Sequence, residues 1–390
     1  MEIANRMDRL SESITMAITS LSKQLKAEGK DVLSFSAGEP DFGTPQVIKD
    51  SAIKALEDGE TNYTAVEGTA ECRKAIAQKL KRDNGLDYDP SEILISVGAK
   101  HSLFNIFQAG ISKGDEVIIP APYWVTYPEQ VKYSGGTVVE IMTDDSTGFK
   151  ITPEQLKQAI TPKSKMLVLT TPSNPTGCVY TKQELLALSE VLKGTNITVI
   201  SDEMYEKLMY DNGEFTAVAS ISDDMYNRTI TINGLSKSVA MTGWRFGYLA
   251  TKDKELFKAM KKLQSQSTSN INSITQAAAI TALDGSADND IESMRVEFEK
   301  RRDLAIKLIN QIEGLSVVKP DGAFYLFVNI KDISNDSMEF CKGLLEDVGV
   351  AVVPGVAFGT EGYFRLSFAT SEDIIKDGIS RIAKFVESKK

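Results

Sequence analysis

From about Glu92 onward the chain alternates short β-branched runs with amphipathic helical stretches, and no other feature restricts its fold as much. Residues 93–97, 116–120, 137–141, 166–170, 197–201, 229–232 and 245–250 read as strands. Helical patterns separate several of them. One follows Gly98-Ala99-Lys100 and runs through Ile111, a short one covers 152–160 with Thr152 as N-cap, and another covers 182–192. Parallel strands need such crossovers, so the pattern predicts an α/β fold with a mostly parallel central sheet and helices on both faces. After about Asp284 the pattern changes to a long charged helix over 291–312, a strand over 323–330, a further helix, then 350–353 and 364–368. That is a smaller α+β unit. The expected division is 1–44 and 285–390 in the small domain, with 45–284 as the large one.

At 390 residues the chain is long enough for one large and one smaller domain. A net charge of −10 and a pI of about 5.0 argue against nucleic acid or an anionic membrane as the main partner. No uninterrupted apolar run reaches membrane-spanning length, and Glu2, Arg6, Asp8 and Arg9 break up any secretory segment. Cys72, Cys178 and Cys341 lie far apart and form no metal or redox spacing, so a cytoplasmic location is expected. His101 is the only histidine. Paired-histidine zinc sites are therefore impossible, and a Ser-His-Asp or Cys-His site would have to use His101 alone. Its plainer reading is a place on a helix surface. General acid–base work then falls to lysine, tyrosine or carboxylates.

The most informative chemistry lies between Asn233 and Arg245. Lys237 follows a β-rich run inside a turn of small residues, Gly234, Ser236, Ser238 and Ala240, and Arg245 comes eight positions later. An enclosed lysine with a lowered pKa presents the neutral amine that attacks a carbonyl to form a Schiff base. An arginine grips a phosphate through two hydrogen bonds. Together they suit an aldehyde cofactor with a phosphate tail. Further candidates fall at the carboxyl ends of the expected strands, where open α/β sheets bind ligands. Gly98-Ala99-Lys100 offers free N–H groups at a helix start, although a plain tight turn explains it equally well. Trp124 suits ring stacking or simple core packing. Asn174 suits ligand contact or an Asx-turn. Asp202 ends an apolar strand and needs a cationic partner, which a protonated pyridine nitrogen would provide. Tyr205 shares its face if a helical turn starts there.

Over nearly its whole length the chain resembles the fold-type I pyridoxal-phosphate aminotransferases, in particular the bacterial aspartate-using branch. The resemblance rests on Ala37-Gly-Glu-Pro-Asp-Phe, Asn62-Tyr63 with Glu67-Gly68, Val97-Gly-Ala-Lys, Pro122-Tyr-Trp-Val and Pro172-Ser-Asn-Pro-Thr-Gly. It extends to Ser201-Asp-Glu-Met-Tyr, Ser236-Lys through Thr242-Gly-Trp-Arg, and Phe364-Arg-Leu-Ser-Phe-Ala. It implies that Lys237 carries pyridoxal 5'-phosphate as an internal aldimine, with pyridoxamine phosphate as the intermediate of amino transfer. It implies Asp202 on the pyridine N–H, Tyr205 and Asn174 on the phenolic oxygen, and Trp124 on the ring face. Gly98, Ala99, Lys100 and Arg245 fall in the phosphate region, and Ser236 is implied among the cofactor-binding residues without an assigned contact. Arg365 is implied for the substrate α-carboxylate with Gly38 and Asn174, and Tyr63 for the phosphate of a neighbouring subunit in a homodimer with shared sites. Small amino acids and 2-oxo acids are the implied partners.

The chain departs from the family at Gly234, where many relatives carry a hydroxyl residue. It also has no basic residue in Leu10-Ser-Glu-Ser-Ile-Thr, where some prephenate-accepting relatives carry one nearby. The arginine that holds the distal carboxylate in the animal and enteric enzymes has no counterpart. In the resembled branch a lysine at the position of Lys100 takes that role, and Lys100 serving only the phosphate is the alternative. Another amino donor on the same fold and a non-catalytic binding protein remain the rival readings. A nicotinamide enzyme is weaker still, because no G-x-G-x-x-G follows a strand.

Overall fold

The computed structural model describes residues 2–389. A short strand, β1 (Leu33–Ser34), precedes the central sheet. That sheet holds β2 (Ile93–Val97), β3 (Glu116–Ala121), β4 (Thr137–Met142), β5 (Ser164–Thr170), β6 (Thr198–Asp202), β7 (Thr229–Gly234) and β8 (Phe246–Thr251), in the order β2-β8-β7-β6-β5-β3-β4. All pairings are parallel except those of β8, which runs against both β2 and β7. The alternation seen in the sequence did not disclose that reversal.

Strands alternate their side chains between the two faces, and here both faces are covered. Leu94 of β2 joins the core on one face while Ile93 and Ile95 join that on the other. Val117 and Ile119 of β3 likewise separate from Ile118. Each such fully buried aliphatic side chain contributes roughly 1.5–3 kcal/mol. Helices Pro153–Ala159 and Lys182–Leu192 start at capping boxes, Thr152 with Gln155 and Thr181 with Glu184.

The remaining strands are β9 (Ser316–Val317), β10 (Tyr325–Asn329), β11 (Val350–Ala351), β12 (Val353–Pro354) and β13 (Tyr363–Ser367). β12-β13-β10-β9 form an antiparallel sheet, while β11 pairs in parallel with β1 and ties the N-terminal segment to it. The single run expected over 350–353 is thus two strands in two sheets. The strands expected from Ala323 and Arg245 begin later, at Tyr325 and Phe246, because Ala323 and Arg245 take left-handed conformations with φ of 59° and 58°. Helix Asp288–Ile309 is fixed by charge through two consecutive arginines: Arg301 donates to both oxygens of Asp41, and fully buried Arg302 to both oxygens of Asp211.

Candidate active site

Strands β2, β3, β5, β6 and β7 end at one edge of the central sheet, and antiparallel β8 begins there. This places Arg245, the residue before β8, beside groups that follow the other strands. Asp202 is the last residue of β6, and Lys237 lies three residues past β7. Ala99 and Lys100 open helix Ala99–Gly110, and β13 contributes Arg365. Gly38, Ala99, Lys100, Trp124, Asn174, Asp202, Tyr205, Ser236, Lys237, Arg245 and Arg365 line one cavity of about 360 Å³. Gly98 sits behind its wall at φ +78°, where an added Cβ would lie 2.5 Å from Arg245 Nη2. Tyr63 is elsewhere. It is 93% exposed and lines a surface cleft with Asp58 and Thr281.

The cavity is cationic although the chain is acidic. Lys100, Lys237, Arg245 and Arg365 face a single lining carboxylate, Asp202. Among the described residues none of the four cations has an ion-pair partner. The Lys237 amine donates to the Gly38 carbonyl and lies 5.9 Å from the Tyr205 ring centroid. Enclosure, reinforced by Arg365, lowers its pKa to about 8. Lys100 is also lowered, by enclosure and then Arg245, and its amine stands 5.0 Å over the Trp124 ring. Arg365 donates through Nη1 to Asn174 Oδ1 at 2.9 Å and through Nη2 to the Ser36 carbonyl at 2.8 Å. Its Nε is buried without a partner. Enclosure raises the pKa of Asp202, against the opposing pull of the Tyr127 hydroxyl, the Met204 N–H and Lys237.

Several groups here escaped sequence reasoning. Tyr127 and Thr170 hydrogen-bond to one another, and Tyr127 donates to Asp202. The Tyr325 hydroxyl pairs with that of Tyr205 at 2.9 Å. Buried tyrosines and threonines carry no sequence signal that separates them from core residues. Gly247 of β8 lies against Gly98 and Ala99, where a Cβ would overlap the Ala99 nitrogen. Gly234 has an equally physical reason: a Cβ there would meet the Phe246 carbonyl at 2.7 Å, so no hydroxyl side chain fits. His101 is half-buried and not simply on a helix surface. Its Nδ1 accepts the Val97 N–H at 3.2 Å, and it does not line the cavity.

Comparison with known proteins agrees with this geometry. Residues 30–382 match the family model of class I and II aminotransferases. The aspartate aminotransferase of Geobacillus stearothermophilus is 48% identical, with all of each chain covered. That of Bacillus subtilis (strain 168) is also 48% identical, with 99% of each covered. Among solved structures, the aspartate aminotransferase from Rhizobium meliloti superposes with a TM-score of 0.96 at 42% identity, covering 99% of both chains. The Thermus thermophilus enzyme with maleate gives 0.95 at 40% identity, covering 99% of this chain and 100% of that one. The chain belongs to the class I and II aminotransferases and is a pyridoxal-phosphate-dependent enzyme of that family.

The cavity suits that cofactor on its own terms. A helix N-terminus beside an arginine without an anion fits a phosphate. A fully enclosed carboxylate with only two protein donors fits a cationic ring N–H.

Proposed function

We propose that the chain transfers the amino group of L-aspartate to 2-oxoglutarate, giving oxaloacetate and L-glutamate. The observation that carries this reading is the excess of cations in the cavity, with Arg365 and Lys100 held by different neighbours. Arg245 and the start of helix Ala99–Gly110 serve one anion, the cofactor phosphate, with Gly98 and Ser236 beside them. Arg365 and Lys100 are then left for two carboxylates, and a dicarboxylic substrate supplies both. The Thermus thermophilus relative, solved with the dicarboxylate maleate, fits the same reading.

When bound, pyridoxal phosphate supplies an electrophilic carbon and an electron-withdrawing ring. Lys237 would hold that carbon through its neutral amine, a form accessible because its pKa is about 8. Once displaced by substrate, the same amine would take the proton from the substrate Cα and deliver it to the cofactor's former aldehyde carbon. Asp202 would hold the proton at the ring nitrogen, Tyr205 and the Asn174 amide would donate to the phenolic oxygen, and Trp124 would cover one ring face. Arg365 binds the α-carboxylate, with Gly38 and Asn174 alongside, and Lys100 binds the distal one. The same reading assigns residues 1–44 and 285–390 to the small domain, 45–284 to the large one, and the protein to the cytoplasm as a homodimer. In that dimer Tyr63 reaches the partner's cofactor phosphate, in keeping with its exposure and its distance from its own cavity.

A donor panel with 2-oxoglutarate, run on the native protein and on Lys100→Ala, tests the substrate assignment. Losing a charge-assisted bond to a carboxylate costs about 1.5–3 kcal/mol. The aspartate kcat/KM should therefore fall roughly 10- to 150-fold, while a monocarboxylic donor changes far less. Equal losses for both donors would make Lys100 a cofactor residue and remove the basis for aspartate.

A further inference from the structure

Asp202 is fully enclosed, yet few groups hold it. Its Oδ1 accepts only the Met204 N–H, at a long 3.3 Å. Its Oδ2 accepts the Tyr127 hydroxyl at 2.7 Å, the shortest bond the carboxylate makes. Tyr127 is itself buried, and its oxygen lies 2.9 Å from Thr170 Oγ1. The direction of that second bond follows from counting donors. An ionised carboxylate accepts only, so the phenol hydrogen goes to Asp202 and the Thr170 hydroxyl must donate to the phenol oxygen. The result is an oriented chain, Thr170 to Tyr127 to Asp202, along one wall of the cavity, in which each bond polarises the next. The Tyr127 ring is also fixed, edge-on to Trp124 with centroids 5.5 Å apart at 87°.

We propose that Tyr127 is a positioning residue that decides which partner keeps the single proton shared by Asp202 and the cofactor ring nitrogen. This rests on the reading that Asp202 faces that nitrogen. A donor aimed at a carboxylate stabilises its charged form, so the proton stays on the nitrogen. Without the donor, the enclosed carboxylate becomes the stronger base and takes the proton, and the ring loses the charge with which it draws electrons from the substrate. The phenol remains a donor throughout the working range, because burial and the Asp202 charge push its own pKa well above the usual value.

The test uses the full-length protein loaded with pyridoxal phosphate labelled with nitrogen-15 in its ring. Tyr127→Phe keeps the ring packed on Trp124 and removes only the hydroxyl. In the native protein the ring nitrogen should resonate as a protonated pyridine. In Tyr127→Phe it should move toward the unprotonated position, with kcat for aspartate falling roughly 10- to 150-fold, the loss of one hydrogen bond to a charged group, and KM unchanged. Thr170→Val, which removes the donor behind the phenol, should shift the resonance the same way by less. An unchanged resonance in Tyr127→Phe with a native melting temperature overturns the proposal. Asp202→Asn is the control for the underlying reading: if it too leaves the resonance unchanged, the placement of Asp202 fails, not the role of Tyr127.

Discussion

Lys237 shows how far a single side chain can be displaced from its behaviour in water. Its amine is enclosed beside Arg365, and its pKa falls from 10.5 to about 8. The neutral fraction therefore rises about tenfold per pH unit up to about 8 and then levels. Cofactor-free protein mixed with pyridoxal phosphate should take up the cofactor at a rate with that profile, followed by absorbance. A rate that keeps climbing through about pH 10 would mark Lys237 as an ordinary solvated lysine. The small residues around it were the legible part of this site, since they predict enclosure. Arg245 was legible as a cation but not as a left-handed residue. Its position depends on β8 running backwards, which no hydrophobic period records.

At the level of elements, the strand ends do unequal work on their two faces. Asp202 turns toward the cavity, while Glu203 turns into the opposite side of β6 and is buried there. Its Oε1 accepts from the Ser201 hydroxyl and the Val218 N–H, and its Oε2 has no partner. Enclosure, then the nearby Glu206, pushes its pKa up to about 8, with Lys79 opposing. The folded state thus keeps a proton that the unfolded chain releases above about 4.5, so this group's contribution to stability falls as pH rises through about 8. Glu203→Gln can still accept both bonds and has no proton to lose. Its melting temperature should exceed the native value by more at about pH 9 than at about pH 5. An equal difference at both would show that Glu203 ionises normally. The strands and the Thr152 cap were readable because β-branched runs and an N-cap threonine act locally. The split of 350–353 between two sheets was not, because the partners β1 and β13 are distant in sequence. Tyr127 was missed for the same reason: its meaning comes from Asp202, 75 positions away.

Across the whole molecule, Arg365 of β13, Tyr325 of β10 and Gly38 of the N-terminal segment meet at a cavity that Asp202, Lys237 and Arg245 reach from the ends of the central sheet. Tyr63, 93% exposed, is the proposed contribution of one copy to the other. Mixing Tyr63→Phe chains with Lys237→Ala chains should then restore activity. Each heterodimer would hold one site with both defects and one with neither. No recovery after demonstrated subunit exchange, or full activity in a sedimenting monomer, would place Tyr63 outside the chemistry. The account as a whole depends on one amine, and it can be examined directly. Protein incubated with pyridoxal phosphate is reduced with borohydride, digested and mapped by mass spectrometry. The cofactor mass should be fixed on the peptide carrying Lys237. Fixation on a different lysine, or none at all, would contradict the assignment of this cavity as the site of amino transfer.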